Sequence, residues 1–157
     1  MEKLNLSWSM YDHYIDMLVE KIDFKNYCGI YGVPRAGQLL ANLISYRTNM
    51  PVMQSPWAES DICDTNGHAT YKTHLPIHRT SNVLLIDDIL DSGQTLDRWR
   101  ITHDTACLFV KNKSPFCSTY WASFTDEWVV FPYERDNDTL SNVTIDNIKQ
   151  RHSENND

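Results

Sequence analysis

The chain has 157 residues, of which 41% are hydrophobic and 22% are charged, and its formal net charge is −7 at pH 7. This length and composition predict one globular domain over residues 1–157 and argue against a largely disordered chain. The acidic balance argues against a protein that binds nucleic acid or an anionic membrane through a broad basic surface. A polyanionic ligand would therefore need a local binding site.

The cysteines and the apolar stretches indicate in which cellular compartment the protein is expected. Cys28, Cys63, Cys107 and Cys117 are widely spaced and form no C-x-x-C pair, which argues against a zinc ribbon and a dense disulfide framework. The N-terminus lacks a cationic start followed by an apolar run, and no apolar stretch approaches the ~18 residues that span a bilayer. We therefore expect a cytoplasmic protein with no membrane partner.

The first half of the chain predicts a helix, a buried strand and a second helix. Ser9 can cap the first helix, with Asp12 three residues later. Apolar residues then recur at helical spacing, at Tyr11, Ile15, Leu18, Val19 and Ile22. Residues 27–33 are apolar and bounded by Gly and Pro, which predicts a buried strand. A second helical stripe follows, through Ala36, Leu39, Leu40, Leu43 and Ile44.

The second half predicts a strand over residues 83–86, a helix from about Gly93 to Ile101 and a strand over residues 105–110. This order favours an α/β fold with an open, mostly parallel sheet flanked by helices. Residues from about 56 to 80 are polar and have no sustained period, which is typical of an active-site lid or of disorder. We assign them to a flexible lid loop, and we expect residues from about 150 to 157 to be frayed.

Residues 83–96 carry the strongest functional signal. The predicted strand runs into Asp87 and Asp88, then into the loop 91–95 and a helix. Ligands of open α/β sheets bind beyond the carboxyl ends of the strands, and backbone N–H groups at a helix start bind phosphate. The two carboxylates suit sugar hydroxyls and a hydrated Mg²⁺ near a pyrophosphate. The segment therefore predicts a site for a phosphorylated sugar, although two Asp at a strand end can also form a solvated cap.

The run V-L-L-I-D-D-I-L-D-S-G-Q-T resembles the phosphoribosyl pyrophosphate signature of the type I phosphoribosyltransferases. The resemblance implies an open, mostly parallel twisted sheet with a flexible lid and a small base-binding hood. It also implies that Asp87 and Asp88 hold Mg²⁺, directly or through water. The residues that it assigns to phosphoribosyl pyrophosphate are Asp87, Asp88, Asp91, Ser92, Gly93, Gln94 and Thr95. Ser92 stands where Thr is more frequent in the family, and Gln94 stands where Gly or Lys is common.

A second run, residues 31–37, resembles the pyrophosphate loop of the same family. The resemblance implies that Arg35, Ala36 and Gly37 contact the pyrophosphate. A guanidinium matches phosphate geometry bidentately, and glycine allows a close approach of the backbone. The alternative is a plain turn between a strand and a helix with a surface Arg. The family loop often contains a cis peptide, which would fall here between Pro34 and Arg35.

Three features resemble the 6-oxopurine enzymes of the family. Asp91 stands where those enzymes carry the Asp that exchanges a proton at the purine N7, and it is the candidate catalytic residue. Lys111 ends a strand where the family binds the 6-oxo group; otherwise it is a solvated strand-end residue. Residues 126–134 resemble the W-[IV]-x-x-P-[WY] stretch of xanthine-guanine enzymes, which implies that Trp128 stacks on the base and that the Val129 backbone faces it. The alternative is that Trp128 is an ordinary buried residue of the hydrophobic core.

Together these resemblances imply a Mg²⁺-dependent enzyme that transfers the phosphoribosyl group from phosphoribosyl pyrophosphate to a 6-oxopurine base in purine salvage. They also imply a homodimer or homotetramer, and a lid that includes Tyr71 and Lys72. One alternative is an enzyme of the same family for another base, such as orotate. Another is a regulator that senses phosphoribosyl pyrophosphate without catalysis and binds nucleic acid, against which the acidic charge counts. A third is an unrelated α/β protein with a metal-binding acidic turn.

Overall fold

The computed structural model describes residues 2–57 and 82–134. Their helices and strands are, in chain order, β1 Lys3–Asn5, α1 Trp8–Lys21, β2 Gly29–Gly32, α2 Ala36–Thr48, β3 Val83–Leu90, α3 Gln94–Asp97, β4 Thr105–Val110, β5 Tyr120–Phe124 and β6 Trp128–Val130. The chain divides into two compact units. One is Asp12–Asp126, and the other combines the chain before Asp12 with the chain from Glu127 on. The extent of a single domain over residues 1–157 stays a prediction.

The larger unit contains a four-stranded sheet in the order β2-β3-β4-β5, and each neighbouring pair is parallel. All six residues of β4 are buried, and so are the first five residues of β3. Strands that are covered on both faces are built from continuous apolar runs, which is the pattern that predicted them. Strand β3 runs on to Leu90, four residues beyond the predicted end. Asp87 and Asp88 therefore lie inside the strand and not after it.

Two predicted helix boundaries are wrong. Helix α1 begins at Trp8, and Ser7 instead of Ser9 caps it, since the Ser7 hydroxyl accepts a 3.1 Å hydrogen bond from the Met10 N–H. The helix predicted from Gly93 to Ile101 is shortened to α3, Gln94–Asp97. Gly93 has a left-handed backbone, and beyond Asp97 the carbonyls of Leu96 and Trp99 each accept more than one backbone N–H group. Turns thus replace a continuous helical ladder.

The smaller unit contains a parallel pair of short strands, β1 and β6. Trp128 pairs with Lys3 and Val129 pairs with Leu4. The Leu6 N–H extends the ladder by donating to the Val130 carbonyl at 2.9 Å. An aromatic group follows the second strand, where the rings of Phe131 and Tyr133 stack with their centroids 5.4 Å apart.

Several sequence-based expectations lie beyond these elements. Residues 58–80 of the predicted lid, with Tyr71 and Lys72, lie outside the described residues, as does the predicted frayed end from about 150 to 157. Within residues 2–57 and 82–134, no helix is long and apolar enough to cross a membrane.

Candidate active site

A cavity of about 260 Å³ opens at the carboxyl ends of β2 and β3. Its walls come from the two loops that the sequence motifs single out, the loop after β2 and the loop after β3. The residues that line it are Pro34, Arg35, Ala36, Asp87, Asp88, Ile89, Leu90, Asp91, Ser92, Gly93, Thr95 and Leu96. The structure therefore brings together most of the residues predicted to bind phosphoribosyl pyrophosphate. Gly37 and Gln94 are not among the lining residues.

The loop after β2 presents Arg35 and Ala36 to the cavity. The peptide between Pro34 and Arg35 is cis. Arg35 is exposed and immediately precedes α2, whose first residue is Ala36. Gly37 lies behind this wall, because a Cβ atom placed on it would come 2.4 Å from the Ile86 carbonyl oxygen. Gly37 thus allows α2 to approach β3 closely, which sets where Arg35 and Ala36 lie.

Asp87 and Asp88 form the acidic wall of the cavity. Asp87 is 8% exposed and Asp88 is half-buried. An Asp87 Oδ1 atom accepts a 3.0 Å hydrogen bond from the Asp88 N–H, and Asp88 Oδ1 accepts a 2.8 Å bond from the Ile89 N–H. Burial, and then the neighbouring charge of Asp88, raise the pKa of Asp87 from 3.8 to about 8. Asp87 therefore holds its proton to a higher pH than an ordinary carboxyl does.

This protonation predicts a pH dependence of stability. Between about pH 4 and pH 8 the folded chain holds a proton on Asp87 that the unfolded chain has lost. The free energy of unfolding therefore falls as the pH rises through this window. Since Asn resembles a protonated Asp, Asp87→Asn should match the wild type below about pH 4 and become increasingly the more stable protein as the pH rises towards 8. Urea unfolding of both proteins at a series of pH values, with a chelator present, measures the difference; parallel pH profiles would contradict it.

The two carboxylates suit Mg²⁺. Mg²⁺ prefers hard oxygen ligands and keeps several waters, and it is usually held by one or two carboxylates together with the phosphates of a substrate. A cation beside the acidic pair would also favour loss of the Asp87 proton. The described residues contain no group of three or more His, Cys, Asp or Glu side chains that could hold a metal ion. If Mg²⁺ binds here, Asp87 and Asp88 would supply only part of its ligand set, and a bound substrate would complete it.

The loop after β3 turns at Gly93, whose φ of +81° lies in the left-handed region that favours glycine. Ser92 and Thr95 line the cavity on either side of this turn, and the Gln94 N–H lies 3.4 Å from the Ser92 hydroxyl. Helix α3 begins at Gln94. Small residues and two hydroxyls thus surround the cavity at the start of a helical turn, which is the arrangement that the loop sequence predicted.

Asp91 lines the cavity and pairs with a residue that the motifs do not include. Lys113 Nζ lies 3.3 Å from Asp91 Oδ1. That oxygen is shielded from solvent and accepts no hydrogen bond from the described residues, so the contact is an ion pair without good hydrogen-bond geometry. Lys113 follows β4, and neighbouring parallel strands end at the same sheet edge. The sequence carries no local signal for this ion pair, because it joins two loops that are separate in the chain.

The predicted base-binding residues are distributed over both units. Lys111 follows β4 and is only 5% exposed, which contradicts its alternative interpretation as a solvated strand-end residue. Its N–H donates to the Leu90 carbonyl at 2.9 Å. Trp128, 55% exposed, and the buried Val129 lie in β6 of the smaller unit. The exposure of Trp128 contradicts its alternative interpretation as plain core, and the base pocket stays a prediction.

Comparison with known proteins identifies the fold. No protein-family model matches the chain, and no curated protein matches it in sequence. Solved structures do match. The purine phosphoribosyltransferase from Pyrococcus horikoshii OT3 has a TM-score of 0.62 and 25% identity, over 87% of this chain and 96% of that chain. The chain therefore has the fold of the type I phosphoribosyltransferases, which confirms the predicted, mostly parallel α/β sheet and the family resemblance, while the lid and the hood stay predictions.

Two further structures share this fold. The xanthine-guanine-hypoxanthine phosphoribosyltransferase from Helicobacter pylori has a TM-score of 0.61 and 17% identity, over 90% of this chain and 100% of that chain. A hypothetical protein from Neisseria gonorrhoeae with bound ppGpp has a TM-score of 0.59 and 19% identity, over 90% of this chain and 94% of that chain. The fold match sets aside the alternative of an unrelated α/β protein.

Proposed function

We propose that this chain transfers the phosphoribosyl group from phosphoribosyl pyrophosphate to a 6-oxopurine base and releases pyrophosphate. The observation that carries the proposal is the cavity, which has the two family motifs as its walls. A phosphoribosyltransferase activity is further supported by the fold and by the P. horikoshii structure. The choice of guanine, xanthine or hypoxanthine as acceptor rests on Asp91, Lys111, Trp128 and Val129. A cytoplasmic location, purine salvage and a homodimer or homotetramer are parts of the same proposal.

In the proposed reaction a purine nitrogen forms a bond to the anomeric carbon of the ribose. The bond from that carbon to the pyrophosphate oxygen breaks, and the pyrophosphate leaves with the electron pair. Arg35 would bind the departing pyrophosphate, while Ser92, Gly93 and Thr95 hold the sugar phosphate. The base would pass its proton to Asp91. Mg²⁺, held by Asp87 and Asp88 when bound, would neutralise charge on the leaving group.

The direct test is nucleotide formation from phosphoribosyl pyrophosphate with guanine, xanthine, hypoxanthine, adenine and orotate, each with Mg²⁺ or with a chelator. We expect Mg²⁺-dependent product from the 6-oxopurines, because an ammonium at Lys111 would select a carbonyl over an amine. Product from adenine or orotate alone would support the transfer reaction and contradict the proposed base pocket. If no base yields product, the transfer function is wrong.

The sensing regulator gives a different pattern in the same experiment. It would bind phosphoribosyl pyrophosphate without forming a nucleotide, and it would also bind nucleic acid with an affinity that falls as salt rises. Calorimetric titration with phosphoribosyl pyrophosphate and a gel-shift assay with RNA and DNA separate the two functions. The proposed enzyme binds the sugar pyrophosphate and gives no shift.

A further inference from the structure

The connection between β4 and β5 contacts the loop after β3 at two points. At the first, Lys113 pairs with Asp91. At the second, Phe116 packs against Gly93, because a Cβ atom placed on Gly93 would lie 2.8 Å from the Phe116 Cε1 atom. Neither Lys113 nor Phe116 lines the cavity. Both nevertheless contact residues that do, so they can act on a bound substrate only through the loop.

The Phe116 ring is held on more than one side. It packs against a buried core cluster of Val33, Leu90, Leu96, Cys107 and Val110. The guanidinium carbon of Arg100 lies 4.8 Å from the ring centroid, within the range of a cation–π contact. The Ser114 hydroxyl donates a 2.9 Å hydrogen bond to the Phe116 carbonyl. The ring is therefore a fixed surface against which the left-handed turn at Gly93 rests.

Lys113 contacts the loop differently. It is 69% exposed, so it contributes little to the core, and its ammonium contacts an Asp91 oxygen that is shielded from solvent. An ion pair between such groups adds little stability, but it restricts the orientation of the carboxylate. Orientation matters for a group that takes a proton from a substrate, because a displacement of about 1 Å can reduce a rate by about 100-fold.

We propose that Lys113 and Phe116 are positioning residues for the proposed transfer reaction, Lys113 by orienting Asp91 and Phe116 by fixing the turn at Gly93. The inference rests on the proposed function. It assigns different kinetic consequences to the two residues, because Asp91 would act on the base whereas the turn at Gly93 would bind the phosphorylated sugar.

The kinetic test compares Lys113→Met and Phe116→Ala with the wild type. We expect Lys113→Met to lower kcat about tenfold with the KM for phosphoribosyl pyrophosphate within about twofold. Phe116→Ala should raise that KM about tenfold, through looser ordering of the turn. Lys113→Arg should restore most of kcat, and Phe116→Leu should restore most of the affinity. Lys25→Met, which removes an exposed ammonium from a 3-10 turn away from the cavity, is the matched control and should match the wild type.

Hydrogen exchange of the free protein tests the same contacts without any activity. Exchange at residues 92–95 should be about tenfold faster in Phe116→Ala than in the wild type. The rate in Phe116→Leu should lie between these two, and the amides of β3 and β4 should stay protected in both variants. If the wild type makes no nucleotide, the proposed function fails, and this exchange still decides whether Phe116 supports the turn. Unchanged exchange and unchanged kinetics would overturn the inference. If Lys113→Met lowers kcat and raises the KM for phosphoribosyl pyrophosphate by equal factors, and Lys113→Arg does not restore either value, the positioning role of Lys113 would be overturned.

Discussion

Asp91→Asn is expected to lower kcat by at least about 100-fold, the lower end of what a general acid or base contributes. The amide keeps the size of the side chain but cannot accept the proton of the base. The KM and the Kd for phosphoribosyl pyrophosphate should stay within about threefold of the wild type, because a group that acts only in the transition state contributes little to ground-state binding. Initial rates at saturating base and calorimetric titration with the sugar pyrophosphate give the two quantities.

The matched control for this substitution is Asp16→Asn. Asp16 is an exposed acid in α1 that pairs with Arg47 and does not line the cavity. The Asp16→Asn protein should therefore retain wild-type kcat. Losses of equal size in kcat and in binding of phosphoribosyl pyrophosphate would contradict a proton-transfer role for Asp91 and would indicate that its carboxylate supports the sugar site.

The charges of the cavity bear on the proposed binding of a polyanion by an acidic protein. Asp87, Asp88 and Asp91 would repel phosphates if all three were charged and unpaired. Burial favours the protonated, uncharged form of Asp87, and Lys113 pairs with Asp91. The arrangement lowers the negative charge of the wall before any cation binds, while Arg35 adds a positive charge on the opposite loop.

The sheet and the position of the site were predictable because their signals are local. The apolar runs at residues 83–86 and 105–110 are buried strands, and parallel strands that are covered on both faces are typically continuous in hydrophobicity. Asp87, Asp88 and the loop after them follow such a strand, so their place at the sheet edge follows from topology. The position of Arg35 at the same sheet edge was predictable in the same way, because Arg35 follows the buried strand β2.

The features that the sequence did not reveal depend on contacts between distant residues. The Lys113 contact with Asp91 joins two loops, and neither loop alone indicates it. The same holds for the contact of Phe116 with Gly93. The buried state of Lys111 is set by the sheet around it. Periodicity describes which face of an element is apolar, but it does not describe which loops meet.

Gly37→Ala is expected to lower the free energy of unfolding by about 2 kcal/mol, within the range for overpacked sites. The added methyl would lie 2.4 Å from the Ile86 carbonyl oxygen and 3.2 Å from the Asp87 Cα atom. Both are backbone atoms, so relief requires α2 to move away from β3. The gain of up to about 1 kcal/mol from replacing Gly in a helix is too small to offset this displacement. Urea unfolding measures the change.

The same displacement should weaken the site, because α2 begins at Ala36 and Arg35 directly precedes it. We therefore expect the Kd for phosphoribosyl pyrophosphate to rise about tenfold in Gly37→Ala, a loss of ~1.4 kcal/mol. Gln38→Ala is the control, since Gln38 is the next residue of the same helix and its side chain is exposed. Its stability should stay within about 0.5 kcal/mol of the wild type, as for most surface substitutions. A Gly37→Ala protein as stable as this control would mean that the helix and strand are not in the close contact that positions Arg35.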